Sequence, residues 1–136
     1  MCQRGDIILI DHYISQDNKV SRHPFIVLDD RNGEIKGVTF DFIGLAMSSF
    51  KDADQKERKM KYPGNFPIAV DDFTRNDKAP VDGYVKAEQF YYFDKSKIIF
   101  KVIGKMEEDI FNLLLEFIQE LASQGVEFEQ ITDNLT

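Results

Sequence analysis

Few side chains in this sequence can do chemistry, and most of them gather at two places. Ser21-Arg22-His23-Pro24 precedes the apolar run Phe25-Ile26-Val27-Leu28, and Ser48-Ser49, followed by Lys51, ends a second apolar run. A histidine titrates at about 6.5 when unperturbed, so His23 can give or take a proton near neutral pH. Arg22 keeps its charge and could stabilise a developing anion. The Ser48 hydroxyl could donate to a phosphate oxygen. Ser49 is the alternative, because a one-residue slip along a strand reverses the face. Lys19 and Lys51 could contact a phosphate backbone, and Gln89 a base edge. Blander roles stand beside these. His23 could cap its strand against Pro24, Ser48 could bond the backbone, and Lys56, Arg58, Lys59 and Lys61, which could also contact a phosphate backbone, could instead form a solvated charged loop.

Other chemistries find no footing. There is no Gly-rich phosphate loop, no nucleophile elbow and no histidine pair at metal-ligand spacing. Cys2 is the only cysteine, so no intrachain disulfide can form, which fits a reducing cytoplasm. We expect no cofactor and no metal. The net charge is -7, yet residues 105–136 hold eight acids and one lysine. The whole acidic excess therefore lies there, and the neutral remainder could still present a basic groove to an anion. No apolar run reaches membrane-spanning length, and the N-terminus lacks the apolar core of a signal peptide.

The elements that must position these residues are mostly strands. At 136 residues one domain is expected, with twelve Phe and five Tyr suiting an aromatic, sheet-rich core. Ile7-Ile8-Leu9-Ile10 is a buried-strand signal, and residues 11–23 form a polar connection. Pro24 lacks an amide proton and so begins the next strand, leaving Arg22 and His23 where it emerges from the core. Asn32-Gly33 closes a turn. Ile35 to Met47 reads as one long or kinked strand, with Gly44 as a bulge. Residues 51–65 form a charged loop or short helix, Phe66 to Val70 a strand, Asp71 to Pro80 a polar loop, and Val81 to Lys86 and Ile98 to Ile103 further strands. Ile110, Leu113, Leu114, Phe117, Ile118 and Leu121 then recur at helical spacing, and Gly125 stops the helix. We expect a mainly β domain over residues 1–124 with a closing C-terminal helix, and a poorly anchored acidic tail over 125–136.

Order and spacing also resemble a known family. Arg4-Gly5-Asp6-Ile7-Ile8-Leu9-Ile10 followed by His23-Pro24-Phe25-Ile26-Val27-Leu28 is similar to the opening of the MazF/PemK (Kid) toxins, in which Arg-Pro begins the second strand. Gly44-Leu45-Ala46-Met47-Ser48-Ser49 resembles their apolar strand ending in Thr-Ser. Lys86-Ala87-Glu88-Gln89-Phe90, then Phe93-Asp94-Lys95-Ser96-Lys97-Ile98, resembles their third segment. The likeness spans roughly residues 4–122. It implies a small SH3-like antiparallel β-barrel of the CcdB-PemK type. It also implies a homodimeric cytoplasmic toxin that cuts single-stranded RNA without a metal, leaving cyclic phosphate and 5′-hydroxyl ends, and that an antitoxin neutralises. The family arginine falls on His23 and its threonine on Ser48. Arg22 would then have to replace the lost charge. The alternative is a non-catalytic barrel that binds protein in the manner of the CcdB-type gyrase poisons.

Overall fold

The structure is a computed structural model that describes residues 2–14, 20–30 and 41–132. The chain runs β1 (Asp6–Ile14), β2 (Val20–Asp30), β3 (Phe42–Ser49), α1 (Ala53–Lys59), β4 (Asn65–Ile68), β5 (Phe73–Arg75), β6 (Gly83–Lys86), β7 (Gln89–Phe93), β8 (Ile99–Met106), α2 (Glu108–Ser123) and β9 (Glu129–Ile131). The strands form one curled sheet in the order β4-β6-β3-β2-β1-β8-β5, with β7 and β9 branching from β3. All pairings are antiparallel except β7 with β9. The two outermost strands, β4 and β5, are consecutive in sequence and only residues 69–72 separate them. That short link draws the ends of the sheet toward each other and bends it into the expected mainly β, half-barrel form. No helix among the described residues is long and apolar enough to cross a membrane.

The curled sheet buries both faces. Ile7, Leu9, Ile26, Leu45 and Met47 pack on one side with Phe111, Leu114 and Leu121 of α2. Ile8, Ile10, Phe25, Val27, Phe42, Ala46, Tyr91 and Phe93 form a second cluster on the other. Alternation along each strand sends neighbours to opposite clusters, which is why the two runs are apolar without a polar face.

Several sequence expectations change. Arg22 and His23 lie inside β2, not at its start, and Pro24 sits mid-strand opposite Leu9. Pro24 is tolerated there because the β2–β3 ladder begins only at Phe25↔Ala46, so at Pro24 one flank of β2 has no strand partner to bond. The bulge expected at Gly44 falls instead on β2 between Val27 and Asp29, facing it. A Cβ on Gly44 would press on the Phe93 ring at 3.1 Å, so the glycine makes room for an aromatic. The polar loop from Asp71 to Pro80 contains β5, and the last strand continues past Gly104 to Met106. In the α2 stripe Leu113 is half exposed, at 50%, while Phe111 takes its place in the core. The helix ends in a Schellman motif, with Gly125 at φ +81°, Val126 N–H bonding Leu121 O and Gly125 N–H bonding Ala122 O. Residues 126–132 are anchored after all. Val126 and Phe128 pack on the core and β9 pairs with β7. The Asn32-Gly33 turn, residues 35–40 of the expected long strand, and Lys19 lie outside the described residues.

A polar clamp holds the N-terminus. The Lys95 ammonium binds both Asp30 oxygens at 3.1 and 2.9 Å, and the Cys2 thiol donates to the same carboxylate at 3.3 Å. Burial, then the Asp30 carboxylate, push the thiol up to about 12. At pH 8 we expect iodoacetamide to label Cys2 in native protein about a thousandfold more slowly than in urea, because only the thiolate reacts. Equal rates would show that the clamp does not hold in solution. Gly104 gives a second test. A Cβ there would collide with the Thr74 carbonyl oxygen of β5. Gly104→Ala should therefore lower stability by roughly 2 kcal/mol in urea melts and loosen β5 from β8. An unchanged midpoint would mean that β5 is not seated as described.

Candidate active site

Beyond the Phe25↔Ala46 pair, β2 and β3 part. Their next residues become the two banks of a cleft of about 310 Å³. Pro24 and His23 lie on one bank, and Met47, Ser48 and Ser49 on the other, with Lys51 following. The closing strands supply the rest. Ile68 of β4 and Phe73 of β5 form an apolar floor with Met47, and Arg75 and Lys78 complete the rim. Among the described residues, no aspartate or glutamate lines the cleft.

His23 is oriented by its own strand. Its Nδ1 lies 3.0 Å from the Pro24 carbonyl oxygen, which can only accept. The proton of the neutral ring therefore sits on Nδ1, and Nε2 is the basic nitrogen. The ring also packs against Phe25, with centroids 5.2 Å apart. Burial lowers its pKa, the Pro24 hydrogen bond opposes that shift, and the nearby Lys86 charge adds to it. The imidazole is thus neutral at pH 7, the form that accepts a proton.

Ser48 shares the His23 face. Phe25 and Ala46 are directly opposite, and stepping two residues along each strand keeps the face. Among the described residues the Ser48 hydroxyl has no hydrogen-bond partner, so the backbone-bonding role does not occur there. Ser49, one residue on, is the more exposed of the two and also reaches the rim.

Arg22 does not join them. Adjacent residues on a strand point to opposite sides, and the Arg22 Nε atom pairs with Asp11 at 2.8 Å, its side chain 67% exposed. The cation in the cleft is Arg75. Its Nε and Nη2 atoms hold the two Asp77 oxygens at 2.9 and 2.7 Å, and its side chain is only 8% exposed. The Arg75 hydrogen bonds hold the Asp77 carboxyl below its usual range. This two-pronged grip fixes the guanidinium plane and leaves Nη1 for a ligand. The sequence reading missed Arg75 and Lys78 because they sit in a stretch dominated by turn and charged residues. Two signals were present: Phe73 as a lone large apolar residue, and an Arg-x-Asp spacing that brings the two charges together. Gln89 is elsewhere, on β7, where its amide reaches Glu129 at 3.4 Å. Among the described residues no three His, Cys, Asp or Glu side chains converge as a metal site would require.

Comparison with known proteins agrees with this architecture. No curated protein matches the chain. A family model described as PemK-like, MazF-like toxin of type II toxin-antitoxin system matches residues 3–122, which is most of the sequence and takes in every strand that builds the cleft and all of α2 but its last residue. The chain therefore belongs to the PemK-like, MazF-like family of toxins of type II toxin–antitoxin systems.

Proposed function

We propose that the protein is an endoribonuclease that cuts single-stranded RNA using its own side chains, without a metal ion. The observation that carries this reading is the convergence of His23, Ser48 and Arg75 on one cleft, with the Asp77 carboxylate that holds Arg75 outside the described lining residues. A phosphodiester placed there meets a neutral imidazole, an unpartnered hydroxyl and a fixed guanidinium. His23 Nε2 takes the proton of the ribose 2′-hydroxyl, whose oxygen attacks the adjacent phosphorus. Arg75 faces the negative charge that builds on the non-bridging oxygens, and Ser48 donates a hydrogen bond to one of them. The 5′-oxygen leaves and takes a proton from water. A 2′,3′-cyclic phosphate and a 5′-hydroxyl remain. Lys51 and Lys78 on the rim hold neighbouring phosphates. Arg75, rather than Arg22, supplies the charge that a histidine in place of the family arginine would otherwise remove. The working form in this reading is a cytoplasmic homodimer, silenced when its antitoxin binds.

The test is digestion of a long single-stranded RNA in EDTA by purified protein and four variants. His23→Ala and Arg75→Ala should each lower kcat/KM by roughly a hundredfold or more. Ser48→Ala should lower it by about tenfold, the loss of one hydrogen bond to a charged oxygen. Arg22→Ala should change it by less than about threefold, as expected for an exposed ion pair. If His23→Ala cuts as fast as the parent, the proton-transfer role is wrong. If no protein cuts RNA, the fold serves as a binding module.

The pH profile follows from the direction of the His23 shift. Activity needs the unprotonated ring, and its pKa lies below the ordinary 6.5. The rate should therefore be level at pH 7 and fall as pH drops below 6.5. A rate still climbing above pH 7.5 would contradict a depressed histidine.

A further inference from the structure

Three strands set out a second cationic group beside the cleft. Met47 of β3 pairs with Val85 of β6, so the next residue on each strand sets Ala46 beside Lys86. Ala46 in turn pairs with Phe25 of β2. Lys86, Ala46, Phe25, Ser48 and His23 therefore share one face of the sheet. Ala46 is the smallest of these side chains. The long Lys86 chain can lie over it toward the His23 bank.

The Lys59 backbone is held beside the Lys86 strand by a buried amide. Asn65 is the one buried polar residue among those described, 8% exposed. On β4 it stands opposite Lys86, and its Nδ2 donates to the Lys59 carbonyl at the end of α1, at 2.8 Å. Asn65 thus pins the basic last turn of α1 against the strand that carries Lys86. Lys56, Arg58 and Lys59 all lie in that turn. The Lys59 and Lys86 charges repel each other. Burial and the Lys59 charge lower the Lys86 pKa, and Lys86 in turn lowers that of His23. Among the described residues neither Lys59 nor Lys86 has an ion-pair or hydrogen-bond partner for its amino group. Two lysine charges near enough to act on each other, each without an ion-pair partner among the described residues, favour an anion beside them.

We propose that Lys86 and Lys59 form a phosphate subsite on the far side of His23 from Arg75, and that it holds the backbone phosphate of a nucleotide flanking the scissile bond. The inference rests on the nuclease reading for its substrate class. The cleft and the subsite then bracket His23, with Arg75 at one phosphate and the two lysines at the next. Lys86 would bind substrate.

The experiment measures RNA binding and cleavage for the parent, Lys86→Met and Lys59→Ala, each checked for an unaltered circular dichroism spectrum. Lys86→Met keeps the apolar stem and removes only the charge. Lys59→Ala lies at the end of a surface helix and tests the same site without touching the sheet. On a single-stranded RNA longer than ten nucleotides, each variant should raise KM by about fivefold to tenfold with a much smaller change in kcat. Each should also flatten the slope of log K against log salt by about 0.7, the loss of one phosphate contact. Cleavage by all three proteins with parental KM and parental salt slope would overturn the subsite and leave the nuclease reading standing. If the parent does not cut RNA, the nuclease reading falls. The binding arm then decides the subsite alone, and equal salt slopes in parent and variants would overturn it.

Discussion

The central strands of this protein are buried on both faces, and the rest of the fold answers to that. In β1, Ile7 and Leu9 face α2 while Ile8 and Ile10 face the second cluster. In β2, Ile26 divides from Phe25 and Val27 in the same way, and in β3, Leu45 and Met47 divide from Phe42 and Ala46. Each fully buried side chain of this kind contributes about 1.5–3 kcal/mol, so neither face can be left to solvent. A flat sheet would need a layer on each side. Here one helix covers part of one face, and the curl of the sheet, with β7 and β9, covers the remainder. The bulges that interrupt β1–β8 and β2–β3 accommodate the bend.

The same curl creates the cleft. Strands that bend this strongly cannot keep full-length partners. β3 pairs with β2 through Ala46 and its last three residues pair with β6 on the other edge. The apolar run of β2 and that of β3 therefore both stop at the opening, and the polar residues that follow them become its banks. Short β5 is held there by β8, and close approach is possible because Gly104 has no side chain to block the Thr74 carbonyl. Packing requirements and site geometry are thus one constraint. The glycine, the bulges and the short link between β4 and β5 are what bring Arg75 to within reach of His23.

Charge is arranged to match. Aspartate and glutamate are concentrated from Glu107 onward, along α2 and β9, while the cleft rim carries Lys51, Arg75 and Lys78 with no acid among the described lining residues. Asp77 grips Arg75 from one side, which offsets part of its charge and fixes its plane. The proposed substrate is an anionic polymer, and a protein of net charge -7 is better suited to it when most of its acids lie away from the groove.

The sequence by itself determined the apolar runs of β1, β2 and β3, the α2 stripe, the helix stop at Gly125, and the candidacy of His23 and Ser48. All of these rest on local rules: periodicity, turn chemistry and side-chain ionisation. Those rules act over a few residues. Tertiary structure decided what local rules cannot reach. Pro24 could enter a strand because β2 lacks a partner on one flank there. Arg22 was turned away by strand alternation once β2 proved to start at Val20. Phe111 displaced Leu113 because the buried face of α2 runs through Phe111, Leu114 and Leu121, three or four residues apart or a multiple of a turn. Residues 129–131, polar enough to read as a tail, found a strand to pair with in β7. Above all, Arg75 entered the site through a three-residue strand whose local signals are only Phe73 and the Arg-x-Asp spacing. Its place depends on pairings with residues some thirty positions away, and such long-range contacts leave little trace in the composition of the segment that makes them.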